Sequence, residues 1–475
     1  MKRLFNIFST LCLTMCLLSC HTRMSEAVDR TELSALSPDG RVETLPRLAE
    51  RRDNVTDILL VDTLQVDTTK KETELATSYP HDILADYECV PLDPTPGFHI
   101  EYFMRLEMDD GRFFVHARDR SGGFRDACFI FNQKGKFLLN IVPPEINLGN
   151  ESVKGRICDM AINRRTKEIR MVCKYPSGGR HIGGGSSILY ACYYTYKGKY
   201  LRKVPIIPNG MWEGFFTDDW MAGRYFIMHE EISGKPQLIL YNEKQKKFRR
   251  ALLVPDKVDV HGVLDDQLAS APNGELFYAA EHSDTVWQVT PDALIARYIL
   301  HGPSVGATVS PYERDSTYVP GTYELSKEGR LCRAIGGLSP FLVSNNFMLM
   351  TYQRWSNMEW IVDDDDTGAG HPDFRSGTRD FFVCIVDRRT NHVQWLQSPP
   401  IRISNLCRKI SEGIRCPRYL TPNDELVYME DVNTLKRMAD ENQDTNTLTD
   451  KEKEFIRKLP VDGNPVLFLV PLKHF

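Results

Sequence analysis

The sequence lacks most of the short motifs by which many enzymes and nucleotide-binding proteins are recognised. It contains no Gly-Lys followed by Ser or Thr and no Gly-x-Gly-x-x-Gly. A single Gly-x-Ser-x-Gly occurs, at Gly302–Gly306, and a lone match of this kind does not define a nucleophile site. No two of its 12 histidines lie within four residues of each other, which excludes a helical His-x-x-x-His metal site. The sequence therefore favours a protein that is not an enzyme, although a catalytic site assembled from distant segments would escape this search.

An excess of basic charge is also missing. The 475 residues include 59 Lys and Arg against 64 Asp and Glu, a net charge of -5. Without a basic surplus, nothing in the composition would attract a phosphate backbone, so nucleic acid is not predicted as a partner. The apolar fraction of 42% and the charged fraction of 26% are ordinary for a globular protein and exclude a wholly disordered chain.

A long apolar run is absent except at the N-terminus. Lys2 and Arg3 precede a mostly apolar segment from Leu4 to Leu18, which is too short to cross a hydrocarbon core of about 30 Å. This pattern predicts a signal peptide over residues 1–19. The segment ends in Leu-Leu-Ser-Cys, which resembles a bacterial lipobox. We therefore expect lipidation of Cys20 and attachment to a membrane.

Residues 20–80 have few apolar residues and weak patterning. Such a segment cannot bury enough apolar surface to fold alone, so the sequence predicts a flexible polar tether. The nine cysteines after Cys20 are odd in number and widely spaced, unlike a zinc site or a disulfide framework. Most are interpreted as buried small apolar residues, with Cys158–Cys173 and Cys407–Cys416 as two alternative disulfide pairs.

Internal repeats organise the remainder, residues 81–475. A turn followed by a β-strand recurs six times, as in Pro272–Tyr278 and Pro422–Tyr428. A short apolar segment precedes each copy, and a hairpin of two further apolar segments follows each of the first five. Four strands per repeat is the composition of a propeller blade. The sequence therefore predicts an all-β fold, a six-bladed β-propeller of four-stranded blades.

The sixth repeat stops after its third strand, Pro465–Val470. The strand-like segment Ile83–Leu92 could supply the missing fourth strand and close the ring, which would cover two exposed edges. The alternative is an open β-solenoid. We predict insertions at residues 303–333, 353–380 and 430–463, the last containing two helices because apolar residues recur there at helical spacing.

The chain resembles the six-bladed β-propeller lipoproteins of Bacteroidota. The resemblance rests on the initial strand Tyr87–Leu92, the Gly-Lys-Phe-Leu and Gly-Lys-Tyr-Leu hairpins, Asp284–Trp287, and the closing segment Asn464–Leu467. It implies an envelope protein anchored to the outer membrane through Cys20, and it transfers no other functional residue. The residues after Cys20 lack the acidic cluster associated with surface export in Bacteroidota, which favours the periplasmic face.

The predicted insertions define a candidate binding face. In an antiparallel blade with strands A to D, the B–C and D–A connections emerge on one face, and all the long connections are of these two kinds. Long loops in compact domains are often functional. The predicted binding residues on this face are Arg180, His181, Trp355, Trp360, Asp363, Asp364, Asp365, Asp366 and His371.

The acidic run Asp363–Asp366 could supply oxygen ligands to Ca²⁺, but it lacks the spacing of an EF-hand, and a solvated loop is favoured. No cofactor or metal is therefore predicted. The favoured function is a binding or scaffold module for a glycan, a peptide or an envelope protein. The alternative is a carbohydrate-active or other hydrolytic enzyme whose site is assembled from several blades.

Overall fold

Apolar strands alternating with short turns produce antiparallel β-structure through most of the chain. The computed structural model describes residues 42–45, 56–59, 87–100, 102–119, 125–148, 151–176, 187–205, 215–224, 238–245, 247–251, 268–279, 285–301, 331–333, 341–361, 373–397, 417–441, 449–461 and 463–473. Three short strands precede the first complete blade: β1 (Val42–Thr44), β2 (Thr56–Leu59) and β3 (Glu88–Pro91).

The first three blades follow in chain order. Blade 1 contains β4 (Tyr102–Asp109), β5 (Arg112–Asp119), β6 (Arg125–Asn132) and β7 (Phe137–Ile141). A small hairpin, β8 (Ile146–Leu148) and β9 (Glu151–Val153), leads to blade 2. Blade 2 contains β10 (Arg156–Asn163), β11 (Glu168–Pro176), β12 (Ser187–Thr195) and β13 (Tyr200–Pro205). Blade 3 contains β14 (Phe215–Thr217), β15 (Trp220–Arg224), β16 (Leu238–Asn242) and β17 (Lys247–Ala251).

The last three blades contain the larger variations. Blade 4 consists of β18 (Leu268–Ser270), β19 (Leu276–Ala279), β20 (Thr285–Val289) and β21 (Leu294–His301). Blade 5 consists of β22 (Leu331–Arg333), β23 (Leu342–Val343), β24 (Phe347–Ile361), β25 (Asp373–Asp387) and β26 (Val393–Gln397). Blade 6 contains β27 (Tyr419–Leu420), β28 (Glu425–Glu430), helices α1 (Val432–Glu441) and α2 (Asp450–Lys458), and β29 (Val466–Pro471).

The N-terminal strand closes the ring. Strand β3 pairs antiparallel with β29, with Pro91 opposite Val466 and Glu88 opposite Leu469, and so becomes the outermost strand of blade 6. Each of the six blades then has its four strands, and the predicted six-bladed, closed propeller is confirmed. This pairing covers the two strand edges that an open array of blades would leave exposed at its ends.

Six apolar cores lie between the six pairs of neighbouring blades. Because side chains alternate along a strand, each blade contributes one set to the preceding blade and the other set to the next. For example, Phe113 and Val115 of blade 1 pack against blade 6, whereas Phe114 packs against blade 2. The first strands of adjacent blades lie side by side around the axis, so they form the wall of a central channel.

The hairpin turns have the positive backbone φ angles that their glycines predict. Gly135 and Gly198, in the two Lys-Gly-Lys turns, have φ of 78° and 77°, a region that disfavours other residues. The carbonyl of Pro91 would lie 2.0 Å from a Cβ at position 135, so this glycine also permits close contact with the strand that closes the ring.

Part of the predicted tether belongs to the propeller. Strand β1 adds parallel to β17 at the outer edge of blade 3, and β2 adds parallel to β21 at the outer edge of blade 4. The expectation of a flexible tether therefore fails over Val42–Thr44 and Thr56–Leu59. The physical reason is edge pairing: even a three-residue segment of polar composition gains backbone hydrogen bonds from an open strand.

The insertion 353–380 is largely a β-ribbon rather than a loop. Strands β24 and β25 continue past the blade as a long hairpin, with Trp355 opposite Arg379 and Trp360 opposite Phe374. From the insertion 303–333, the described strand β22 pairs with this ribbon. Long antiparallel pairing satisfies the backbone polar groups that an irregular loop would leave to solvent.

The insertion 430–463 forms the two expected helices. The Thr449 hydroxyl accepts a hydrogen bond from the amide of Glu452, whose carboxylate accepts one from the amide of Thr449, a capping box. Leu435 and Ile456 are buried in the core between blades 5 and 6. The helices thus shield the apolar side chains of their own blade.

Six cysteines have described side chains, and all six are free: Cys89, Cys128, Cys158, Cys173, Cys192 and Cys384. Cys173 packs between blades 1 and 2, whereas Cys158 lies on the opposite side of the sheet, against the core between blades 2 and 3. The alternative disulfide Cys158–Cys173 is therefore wrong, because a β-bulge beside Cys158 directs the two side chains apart. Cys407 and Cys416 lie outside the described residues.

Candidate functional site

A charged cluster occupies the central channel. Arg105 of β4 donates from Nε and Nη2 to Oε1 of Glu107, both at 3.3 Å, and from Nη1 to Oδ1 of Asp159 in blade 2 at 3.5 Å. Its guanidinium also lies 4.1 Å from the centre of the Phe215 ring in blade 3. One side chain thus connects three consecutive blades at the axis, through ion pairs and a cation–π contact.

A second arginine joins the cluster from blade 2. Nη2 of Arg164 donates to Oε2 of Glu107 at 2.9 Å and to the Tyr419 hydroxyl of blade 6 at 3.0 Å. Burial alone would lower the pKa of Arg164, but Tyr419 and Glu107 beside it raise the pKa overall. Burial also raises the pKa of Tyr419, which keeps its hydroxyl protonated. Arg164 therefore stays cationic and Tyr419 stays neutral.

The channel encloses a small cavity of about 100 Å³ beside this cluster. The first strands of blades 1, 3, 4, 5 and 6 line it, and its polar side chains are Arg105, Glu107, Ser270, Arg418 and Tyr419. A water occupies about 30 Å³ of liquid, so the space suits a few waters or a single small group. The channel is thus nearly filled by side chains at this level.

A larger cavity opens where the A–B turns emerge, an end of the propeller that we call the turn face. Its volume is about 390 Å³. Four consecutive blades contribute turns to its wall. The lining residues are Asp109, Ile162, Asn163, Arg164, Arg165, Lys167, Phe216, Asp218, Ser270, Ala271, Pro272, Asn273 and Gly274. We call this space the turn-face cavity.

Ion pairs between turns hold the wall of the turn-face cavity. Nζ of Lys167 lies 2.8 Å from Oδ2 of Asp109 and 3.0 Å from Oδ1 of Asp110, in blade 1. Slight burial alone would lower the pKa of Lys167, but the hydrogen bonds that Lys167 donates to these carboxylates raise it overall. Arg165 pairs with Asp219 of blade 3. Both cations remain about half exposed, with side-chain exposures of 45% and 57%, and so face the solvent in the cavity.

Local structure explains how these turn residues are presented. The Asn163 carboxamide accepts hydrogen bonds from the amides of Arg165 and Thr166, at 3.1 and 3.2 Å, and this fixes the blade 2 turn. Asp218 has a positive φ of 49°, which short polar residues tolerate better than most. Phe216, half-buried on β14, supplies an apolar wall.

Of the binding residues predicted from sequence, the structure describes two, and both lie away from this cavity. Trp355 and Trp360 are on β24, in the ribbon that extends from the B–C end of blade 5, opposite the turn face. Arg180, His181, Asp363, Asp364, Asp365, Asp366 and His371 lie outside the described residues, as does Cys20. Their grouping on one face remains a prediction.

No local pattern in the sequence singles out the turn-face cavity. Its residues come from four of the six repeated turns, such as Asp109–Arg112 and Asn163–Glu168, which the repeat pattern identifies only as connections. The available signal was charge in the turns themselves: Arg164, Arg165 and Lys167 are three cations within four positions.

The described carboxylates of the channel do not resemble a hydrolytic pair. Glu107 already accepts hydrogen bonds from two arginines and Asp159 from one, whereas glycoside hydrolysis needs an acid and a base facing substrate. Within the described ranges, no three side chains of His, Cys, Asp and Glu are grouped as a metal site would require. Neither of the two described helices is long and apolar enough to cross a membrane.

The fold is shared with solved structures of low sequence identity. A putative exported protein of Bacteroides fragilis is 12% identical, with a TM-score of 0.52, over 83% of this chain and 96% of its own. A member of the DUF4221 family from Bacteroides vulgatus is 10% identical, with a TM-score of 0.44, over 82% and 98%. No protein-family model matches the chain, and no curated protein matches it significantly. The first likeness supports the propeller fold and nothing finer.

Proposed function

We propose that this protein is an exported, lipid-anchored propeller that binds a small polar ligand, such as one or two sugar units of an envelope glycan, in the turn-face cavity. The observation that carries the proposal is the convergence of turns from four blades around one space of about 390 Å³. Pockets that bind small molecules have volumes of about 300 to 1,000 Å³.

The chemistry of the wall supports a saccharide. Asn163 and Asp218 offer amide and carboxylate groups, and Arg165 and Lys167 offer donors to hydroxyl or carboxylate oxygens. Phe216 provides an apolar surface of the kind that packs on the C–H face of a sugar ring. Because closed blades hold the turns, little ordering of the site would accompany binding.

The test is calorimetric titration of the full-length protein in detergent with neutral and acidic mono- and disaccharides. Lys167→Ala should weaken binding of a responsive sugar about tenfold, since it removes a charged donor from the wall. Lys244→Ala is the matched control, because Lys244 is an exposed lysine near Asp219 that lies outside the cavity wall. Absence of saccharide binding, or equal losses in both variants, would reject this site.

The proposed location rests on the N-terminal sequence. A positively charged start, an apolar segment and Cys20 together favour export, cleavage and lipid attachment at the outer membrane, on the periplasmic face. Cys20→Ala should release the protein from isolated membranes and abolish incorporation of labelled fatty acid. Retention of the variant on membranes would refute the lipid anchor.

A further inference from the structure

The outer edges of the blades differ in a way that identifies a docking site for a strand. Blades 3 and 4 have a fifth strand, β1 or β2, added parallel to the outermost strand. In the described part of the chain, the outermost strands of blades 1, 2, 5 and 6 have no such addition. These edges offer unpaired backbone groups to an extended segment.

The outer strand of blade 2, β13, resembles in sequence the outer strand of blade 3, β17, which pairs with β1. In β17, Phe248-Arg249-Arg250 pairs with Val42-Glu43-Thr44, which places Glu43 beside Arg249. In β13, Leu201-Arg202-Lys203 repeats the order of one apolar and two basic residues. The described outer strands of blades 1, 5 and 6 contain no basic residue.

The register of the two blades strengthens this equivalence. Arg249 lies opposite Leu240 and Arg202 lies opposite Tyr193, each on the first strand pair inward from the outer edge. Both guanidinium groups stack on an aromatic ring, Arg202 on Tyr193 at 3.9 Å and Arg249 on Trp220 at 5.1 Å.

The side chains of β13 are also available. Tyr200 and Leu201 are 41% and 38% exposed, unusually high for large apolar residues. Glu168 and Glu243 pair with Arg202, but Lys203 contacts the Tyr190 ring and has no acidic partner in the described part of the chain. A lysine on an edge usually discourages pairing with another apolar edge, so it selects for an acidic strand.

An apolar surface continues onto the neighbouring blade. Leu138 and Val142, on and just after the outermost strand of blade 1, are 44% and 58% exposed. The Tyr194 hydroxyl of blade 2 donates to the carbonyl of Val142 at 3.2 Å, which holds the two outer edges together. Four of the six most exposed large apolar residues in the described chain are thus at this outer corner.

We propose that β13 is a docking edge for an extended strand of a second protein, added parallel to it, with an acidic residue beside Lys203. Backbone hydrogen bonds would provide the pairing, Tyr200 and Leu201 apolar contact, and Lys203 the selection by charge. This inference is independent of the turn-face cavity, which lies on another surface.

The probe is a fluorescent peptide of residues 39–47 with Thr44→Glu. In blade 3, Thr44 pairs with Arg250, the counterpart of Lys203, so this substitution places a carboxylate beside Lys203. The anisotropy of the peptide is measured with the full-length protein in detergent. We expect saturable binding that Lys203→Glu weakens about fivefold, because reversal of an edge charge repels the carboxylate at position 44. The matched control Lys197→Glu, in the exposed turn before β13, should leave binding unchanged.

A charge swap supplies the decisive arm. The peptide with Thr44→Lys should bind the unmodified protein weakly and regain affinity for the Lys203→Glu variant. The proposal is overturned by absence of saturable binding below roughly 1 mM peptide. Equal binding to both lysine variants also overturns it, as does self-association of the protein that Lys203→Glu abolishes, which would assign the edge to a second copy.

Discussion

The two faces of the propeller are built differently. On the turn face, polar groups in or beside the turns connect every pair of neighbouring blades. The six contacts are Lys167–Asp109, Arg165–Asp219, Arg249–Asp292, Asn273–Asn345, Asn346–Asp424 and the Tyr419 hydroxyl with the amide of Met108. From the opposite face emerge the β8–β9 hairpin, the β24–β25 ribbon and the two helices.

This difference shows how one repeat separates two tasks. The short turns, which have two to five residues, are tied to one another by these contacts, and this holds the blades in register. The B–C and D–A connections accept insertions without disturbing the ring. Hydrogen bonds between blades occur at that end too: Asp126, at the B–C end of blade 1, receives hydrogen bonds from Arg118 and from Arg156 of blade 2, each at 2.8 Å.

The largest expected effect concerns the turn that meets the closing strand. Gly135→Ala places a Cβ 2.0 Å from the carbonyl of Pro91 at a φ of 78°, so backbone must move at the junction of blades 6 and 1. We expect a loss of at least about 4 kcal/mol, or no cooperative unfolding, in thermal denaturation. Gly274→Ala, also at positive φ but with open space around it, should cost only about 1 kcal/mol.

A smaller effect is expected at the tie between blades 5 and 6. The buried carboxylate of Asp424 accepts hydrogen bonds from the Ser344 hydroxyl at 2.5 Å and the Asn346 amide at 2.7 Å. Asp424→Ala should lower the free energy of unfolding by about 3 kcal/mol, because it leaves buried donors unpaired. Asp218 has a similar positive φ but is exposed, so Asp218→Ala measures the backbone contribution alone. An equal loss of unfolding free energy in both variants would show that the hydrogen bonds between blades 5 and 6 do not contribute to stability.

The opposite face has a carboxyl group that weakens the fold at high pH. Glu430 is buried at the B–C end of β28, and burial raises its pKa from 4.5 to about 8. Between these values the folded protein keeps the proton and the unfolded chain does not. Its stabilising contribution is therefore present below pH 4.5 and lost as the pH rises to about 8.

Glu430→Gln removes this pH dependence. The variant should match the original protein in unfolding free energy at pH 4 and exceed it by about 2 kcal/mol at pH 8, measured by chemical denaturation. A variant no more stable at pH 8 would show that Glu430 is ionised in the folded state.

The turn face should show the reverse pH dependence. Burial alone would raise the pKa of Glu275, but hydrogen bonds from Arg388 and Asn273 lower this pKa overall. Its stabilisation is present above the pKa of the unfolded chain and lost as the pH falls through the folded value. Glu275→Gln should cost about 1 kcal/mol at pH 7, a small effect because the side chain is partly exposed, and less in acid. A cost independent of pH would mean that the carboxylate charge contributes nothing.

Several elements follow from local patterns in the chain. Apolar alternation between turn residues predicts the number of blades, and the incomplete sixth repeat predicts closure by Ile83–Leu92. The capping residues around Thr449 predict α2. These succeed because strand and helix periodicity and turn chemistry act over a few residues, and because the order of repeats is covalent.

The edge strands β1 and β2 could not be predicted in this way. Each has three or four residues in a polar segment, and each pairs with a strand more than two hundred positions further along, Val42 with Phe248 and Thr56 with Tyr298. Nothing local distinguishes them from a tether, since their stability comes from an edge that exists only once the blades are formed. The β24–β25 ribbon could not be predicted either, because each of its two strands is stabilised by pairing with the other.

The sequence by itself determined the class of fold, the ring closure, the helical insertion and the expectation of a lipid anchor at Cys20. Only the tertiary structure decided which turns meet around the turn-face cavity, because Asp109, Lys167, Asp218 and Asn273 come from four blades and converge through packing of the ring. It also decided which outer edges are filled and which remain open. Both outcomes depend on contacts between segments that are far apart in the chain. Periodicity in the sequence is local, so it does not predict which of these segments come into contact.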